Sequence, residues 1–142
     1  MTKYPISPPA SYVTPTAIGF ADSVGDLSLV AADTPLPVTS ERGAAPAPLA
    51  GQTGQAVVAG PFVPLLDAPI HLELGGVWSG QVALQRSTDG GTTRRGVTAG
   101  GMPWARFAGN ANEVVWQEGE QGASFYLNIA VTSGTVSYRL SQ

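Results

Sequence analysis

The sequence predicts an all-β protein: an antiparallel β-sandwich, jelly-roll-like, preceded by an extended, proline-rich N-terminal arm. Three observations carry this expectation. Pro5, Pro8, Pro9, Pro15, Pro35, Pro37, Pro46 and Pro48 crowd the first 50 residues. Each removes a backbone donor and fixes φ, so this segment suits neither a helix nor a central strand. From Ala56 onward the apolar residues recur with a period of two, the spacing that puts alternate side chains on one face of a sheet. No stretch holds an apolar 3.6-residue period over three turns, so helix is expected to be minimal.

Residues 1–55 read as arm and linker, residues 56–142 as the sandwich. Within the arm, "TAIGF", "LSLVAA" and "PLPVT" are too apolar for a solvated linker and too brief to close a core. Their apolar side chains Ile18, Phe20, Leu27, Leu29, Leu36 and Val38 are therefore expected to meet a partner surface. "ERGAAPAPLAGQTGQ", Glu41 to Gln55, is small and rich in Pro, Ala and Gly, and reads as the linker. The strands then follow as "HLELGG", "GQVALQRS", "RRGVTAGG", "PWARFAG", "NEVVWQE", "SFYLNIAVTSG" and "TVSYRLSQ", each bounded by turn formers. Alternation puts Phe125, Leu127, Ile129 and Val131 on one face and Tyr126, Asn128, Ala130 and Thr132 on the other. "TSGT" is expected to reverse the chain into Val136, Tyr138 and Leu140 as a terminal hairpin.

Bulk properties narrow the function classes. The chain has 142 residues, 43% hydrophobic and only 12% charged, with a formal net charge of -3. That is one domain with a real core and no cationic cluster of the kind nucleic-acid binding requires. It contains no cysteine, which excludes disulfides, thiolate metal sites and cysteine nucleophiles. "MTKYPISPPASY" lacks the apolar region of a secretory signal, and no apolar run approaches the ~20 residues of a membrane span. A soluble protein made in the cytoplasm, with no cofactor and no membrane or nucleic-acid partner, is the expectation.

Each candidate site has a structural reading beside it. Ser87, Asp89, Gly91 and Thr93 in "QRSTDGGTTRR" fit most of the Asp-box pattern of sialidase-like propellers, with Arg94 where that pattern has tryptophan. The phosphate-loop spacing and its lysine are absent, so a tight Asp-Gly-Gly turn is expected. His71 and Glu73 would share a strand face, but a metal or a catalytic pair needs a further group that no neighbour supplies. Asp22, Asp26 and Asp33 lack the alternate-oxygen spacing of a calcium loop and read as turn formers. Glu113, Glu118 and Glu120 flank Trp116, yet glycosidase carboxylates must face each other across a bond, so these read as a polar strand end. Trp78, Trp104 and Trp116 suit a core or a subunit interface, or else a sugar-stacking platform.

The segment running from "GPFVPLLDAPIHLELGG" to "GTVSYRLSQ", with "GVWSGQVALQRSTDGGTT" and the ending "GTVSYRLSQ" the most telling parts, and the arm signature "VAADTPLPVT" resemble a family of small virion proteins of tailed bacteriophages and prophages. The resemblance implies a non-enzymatic structural part of the particle, most readily a head decoration protein. It would bind the major capsid protein or other virion proteins through the arm. A tail or fibre component is the structural alternative, and a carbohydrate-binding attachment module the alternative of another class. Decoration proteins of this kind commonly act at three-fold positions, so the resemblance implies a trimer, with a monomer at a quasi-equivalent site as the alternative. Trp104 and Tyr126, left outside the core by alternation, are the candidate interface residues.

Overall fold

The structure, a computed structural model, describes residues 18–38 and 43–142, and every described element is a strand or a loop. The chain divides into two compact units, Met1–Arg42 and Gly43–Gln142.

In the first unit, β1 (Gly19–Ala21) and β2 (Leu27–Leu29) form an antiparallel hairpin with Gly19 opposite Leu29 and Ala21 opposite Leu27. The two apolar pieces expected to run extended therefore pair with each other. Asp22 explains the reversal: its Oδ1 accepts from the backbone N–H groups of Val24 and Asp26, both at 2.9 Å. A side-chain acceptor two and four residues back nucleates the turn. A second small loop follows, closed by Ala31 and Thr34 exchanging backbone hydrogen bonds of 3.0 and 3.1 Å. Three-residue strands cannot bury their own side chains, and Leu27 and Leu29 remain exposed.

The second unit is organised by two long strands, β5 (Pro69–Ser87) and β11 (Ser124–Ser141), antiparallel along their whole length. β10 (Ala111–Gln117) pairs with the first part of β5, and β3 (Leu49–Thr53) with the last part of β11. β4 (Val57–Phe62) flanks the first part of β11. The short β6 (Arg95–Gly96) and β9 (Arg106–Phe107) flank the last part of β5. β7 (Thr98–Ala99) and β8 (Met102–Pro103) form a separate small hairpin.

β5 does not run straight. Nineteen extended residues would span about 60 Å at ~3.3 Å each. Yet Gln117 pairs with Pro69 at the start of β5, and the next residue, Glu118, bonds Arg86 at its end. Two side chains bridge that gap, so the strand folds back on itself. The bend lies where β5 carries Gly76 and Gly80 and β11 carries a register shift between Val131 and Ser133, followed by Gly134. Gly80 (φ 138°) and Gly134 (φ 78°) sit where L side chains rarely go. A Cβ at either would lie 2.1 Å from a carbonyl oxygen of the facing strand, that of Ala130 or Val77.

The extra residue in β11 also repairs its pattern. Before the bulge the buried residues are Phe125, Leu127 and Ile129, and after it Val136 and Leu140, so the parity changes while the face stays the same. β5 contributes Ile70, Leu72, Leu74, Val82 and Leu84 to that core, joined by Phe62, Val97 and Val115.

Two sequence expectations are corrected. "TSGT" does not close a terminal hairpin: β11 runs through it, because the bulge and Gly134 bend the strand in step with β5 without reversing it. Part of the segment read as linker, Leu49–Thr53, is the β3 strand, which lies within the unit Gly43–Gln142. Small residues do not bar a strand where a long neighbour such as β11 offers an unpaired edge.

Candidate functional site

A concavity of the second unit lies where the last part of β5 meets β6 and β10. Its volume is about 430 Å³, and its walls include Arg86, Ser87, Asp89, Arg95, Thr98 and Trp116. Two local constructions contribute its lining residues, and a third lies on the opposite face of the same sheet.

The first is an ion-paired floor. Arg86 donates from Nε to Glu118 Oε2 at 2.6 Å and from Nη2 to Glu118 Oε1 at 2.9 Å, and Nη2 also bonds Glu120. Glu118 is 4% exposed, and its Oε1 accepts as well from the backbone N–H groups of Gly119 and Glu120 at 3.1 and 2.8 Å. The Arg86 hydrogen bonds, more than any other influence, hold the Glu118 carboxyl below the usual glutamate range, against the opposing pull of burial. The same bonds raise Arg86 further above its already high value. The Trp116 indole lies toward Glu118, but its Nε1 is buried and meets hydrogen-bond geometry with no partner.

The second is the loop after β5. Ser87 Oγ donates to Asp89 Oδ1 at 2.7 Å and accepts from the Gly91 N–H at 2.9 Å. The Thr93 N–H reaches both Asp89 oxygens, at 2.8 and 3.0 Å. That backbone donor first, and the Ser87 hydroxyl next, bring the Asp89 carboxyl down to about 2. The carboxylate is thus spent on its own loop, as the turn reading expects.

The third is a stacked ring. Tyr126 was expected outside as an interface residue; it lies on the face opposite the core residues but is only 7% exposed. The loop after β5 covers it: Arg94 sits 5.3 Å from the ring centroid. A Cβ on Gly91 would lie 2.2 Å from the tyrosine hydroxyl oxygen. Arg94, standing where the Asp-box pattern has tryptophan, supplies the cover.

The other sequence-selected residues fall elsewhere. Ile18, Leu27, Leu29, Leu36 and Val38 are exposed and Phe20 is half-buried, all in the first unit. Trp104 is half-exposed, and its Nε1 donates to the Val115 carbonyl at 2.9 Å. Trp78 donates to Asn110 Oδ1 at 2.8 Å, so the three tryptophans occupy separate settings and are not joined in one platform by any recorded contact. His71 and Glu73 share the outer face of β5, opposite Ser141 and Arg139 of β11. Among the described residues no group of three His, Cys, Asp or Glu side chains could hold a metal, and no helix is long and apolar enough to cross a membrane.

Sequence reasoning missed the Arg86–Glu118 pair. Glu118 read as a polar strand end, and nothing in a single sequence links residues 32 apart. The one available signal was an arginine inside a strand otherwise expected to turn apolar residues inward.

No protein-family model, curated protein or solved structure matches this chain.

Proposed function

We propose that the chain is a non-enzymatic structural protein of a tailed-phage particle, a capsid decoration protein that grips the shell through its N-terminal arm. The carrying observation is the first unit's apolar surface. Leu27 and Leu29 of the Gly19–Leu29 hairpin, and Ile18, Leu36 and Val38 beside it in sequence, are exposed. Burying each such side chain is worth about 1.5–3 kcal/mol, a free energy that only a partner surface can recover. The major capsid protein or another virion protein is that partner, in keeping with the resemblance of "VAADTPLPVT" and "GTVSYRLSQ" to small virion proteins. In this reading the second unit is a sandwich, the two halves of the bent sheet enclosing the core, and it stands on the shell as a trimer with half-exposed Trp104 at the subunit contacts. Localisation is the virion, with neither nucleic acid nor membrane as a partner.

Quantitative mass spectrometry of purified particles tests the reading. Hundreds of copies per particle are expected. A dozen or fewer would make the chain a tail or fibre component, and absence from particles would sink the proposal. Light scattering of the isolated protein tests the trimer separately.

A further inference from the structure

We infer that the concavity between β5, β6 and β10 is a binding site for a sugar carrying a carboxylate, with Arg95 holding the carboxylate and Trp116 providing an aromatic wall. This inference does not rest on the particle-protein reading.

The first argument is an uncompensated charge. Arg86 and Arg95 are directly opposed across the β5–β6 pair, so both side chains leave the same face of the sheet. Like charges in that position are destabilising. Arg86 is compensated by Glu118 and Glu120. Arg95 has no carboxylate within ion-pair distance among the described residues, and it lines the concavity.

The second argument is an imbalance of donors over acceptors. Both oxygens of Asp89 accept from their own loop, and both oxygens of Glu118 are taken by Arg86, Gly119 and Glu120. Donors remain: the Arg95 guanidinium, Arg86 Nη1 and the hydroxyls of Thr88 and Thr98. A ligand rich in acceptors suits these walls, and a planar carboxylate matches the fork of a guanidinium.

The third argument selects among anions. Of the charged residues that line the concavity, Arg86 is already paired with Glu118 and Glu120, which leaves Arg95 and the carboxylate of Asp89. A doubly charged phosphate would bring its second charge toward Asp89, whereas a single carboxylate can sit against Arg95 while neutral hydroxyls face the rest. A ring of hydroxyls with an apolar face is the chemistry that an indole wall and threonine hydroxyls accommodate. The volume, about 430 Å³, lies within the ~300–1,000 Å³ usual for small-ligand clefts.

The test follows indole N–H resonances of the isotope-labelled full chain during titration with glucuronate, glucose and inorganic phosphate. The Trp116 signal should move saturably with glucuronate while those of Trp78 and Trp104, already bonded within the protein, stay in place. Glucose should bind about tenfold more weakly, the worth of one charge-assisted pair, and phosphate more weakly than glucuronate. Arg95→Gln, at an exposed position that the fold tolerates, should cost glucuronate about tenfold and leave glucose unchanged, with Arg95→Lys in between. An unmoved Trp116 signal with all three probes, phosphate binding as tightly as glucuronate, or an Arg95→Gln variant that binds glucuronate like the parent would each overturn the inference. Particle composition bears on none of these outcomes, so this inference and the decoration reading fail independently.

Discussion

Arg86 and Glu118 close a two-pronged ion pair that ties the end of β5 to the residue following β10, and β10 is itself paired to the start of β5. The pair therefore fastens the two ends of one bent strand. Glu118 is almost fully buried while Arg86 keeps a quarter of its side chain exposed, so removing the glutamate strands a charge that water only partly reaches. Glu118→Ala should lose about 2 kcal/mol in urea unfolding, below the ~3–5 kcal/mol of a fully buried pair. Glu120, 60% exposed, should cost less than about 1 kcal/mol when changed to Ala. Equal effects of the two would show that the strap does not depend on burial.

Acid should weaken the same strap. Native Glu118 has its carboxyl below the usual glutamate range, so the unfolded chain takes up that proton at a higher pH than the folded one. The stabilisation is complete above the unfolded value and is lost as pH falls through the folded one. The melting temperature should stay level from about pH 7 to about 5 and then decline, with a shallower decline in Glu118→Gln. Asp89, brought down to about 2, should remain charged through most of that decline. A variant whose acid profile overlays the parent's would remove Glu118 from the explanation.

The bend itself makes a steric prediction. Gly80→Ala and Gly134→Ala each put a Cβ against a facing carbonyl at positive φ, and should cost at least about 2 kcal/mol. Gly90 is the control, since its φ is also positive, 70°, but nothing lies within 4 Å. Gly90→Ala should cost only about 1 kcal/mol. Urea midpoints for the three variants that fell together would mean that the close approach at the bend carries no weight.

Period-two spacing made the strands of β5 and β11 readable, because alternation is a property of neighbouring residues. Their continuity was not readable: the glycines of "GGVWSG" and "VTSGT" look like turns until two strands are seen to bend in register, with the bulge restoring the face after Val131. Tyr126 misled for a related reason. Alternation says which face a side chain leaves from, and not whether a loop from elsewhere covers that face, as Gly91 and Arg94 do here. Asp89 went the other way: Ser, Asp, Gly and Thr lie within seven residues, so the hydrogen bonds of the loop were local enough to foresee.

That loop should accordingly be structural. Asp89→Ala removes the acceptor for the Thr93 N–H and leaves the Ser87 hydroxyl without its partner. Amide exchange should speed up at Thr93 while the core strands keep their protection. The parent's melting temperature should be the same with calcium and with a chelator. A calcium-dependent rise that vanishes in Asp89→Ala would turn the loop into an ion site.

The decisive separation is between the two units. Contacts divide the chain after Arg42, and the bent sheet, its core and the Arg86–Glu118 strap all lie within Gly43–Gln142. A chain starting at Gly43 should therefore fold, with the full chain's amide dispersion and an urea midpoint close to the parent's, since no core residue is lost. If the exposed apolar side chains of residues 18–38 form the grip on a shell, the truncated chain should fail to join particles that the full chain joins. Double substitution of Leu27 and Leu29 by Ser should do the same without shortening the chain, because it removes two anchors from a hairpin whose backbone pairing it leaves intact. Normal incorporation of both variants would refute the arm as the attachment element. A truncated chain that cannot fold would instead show that the first unit supports the second, and the Leu27/Leu29 double variant would then decide the question of attachment alone.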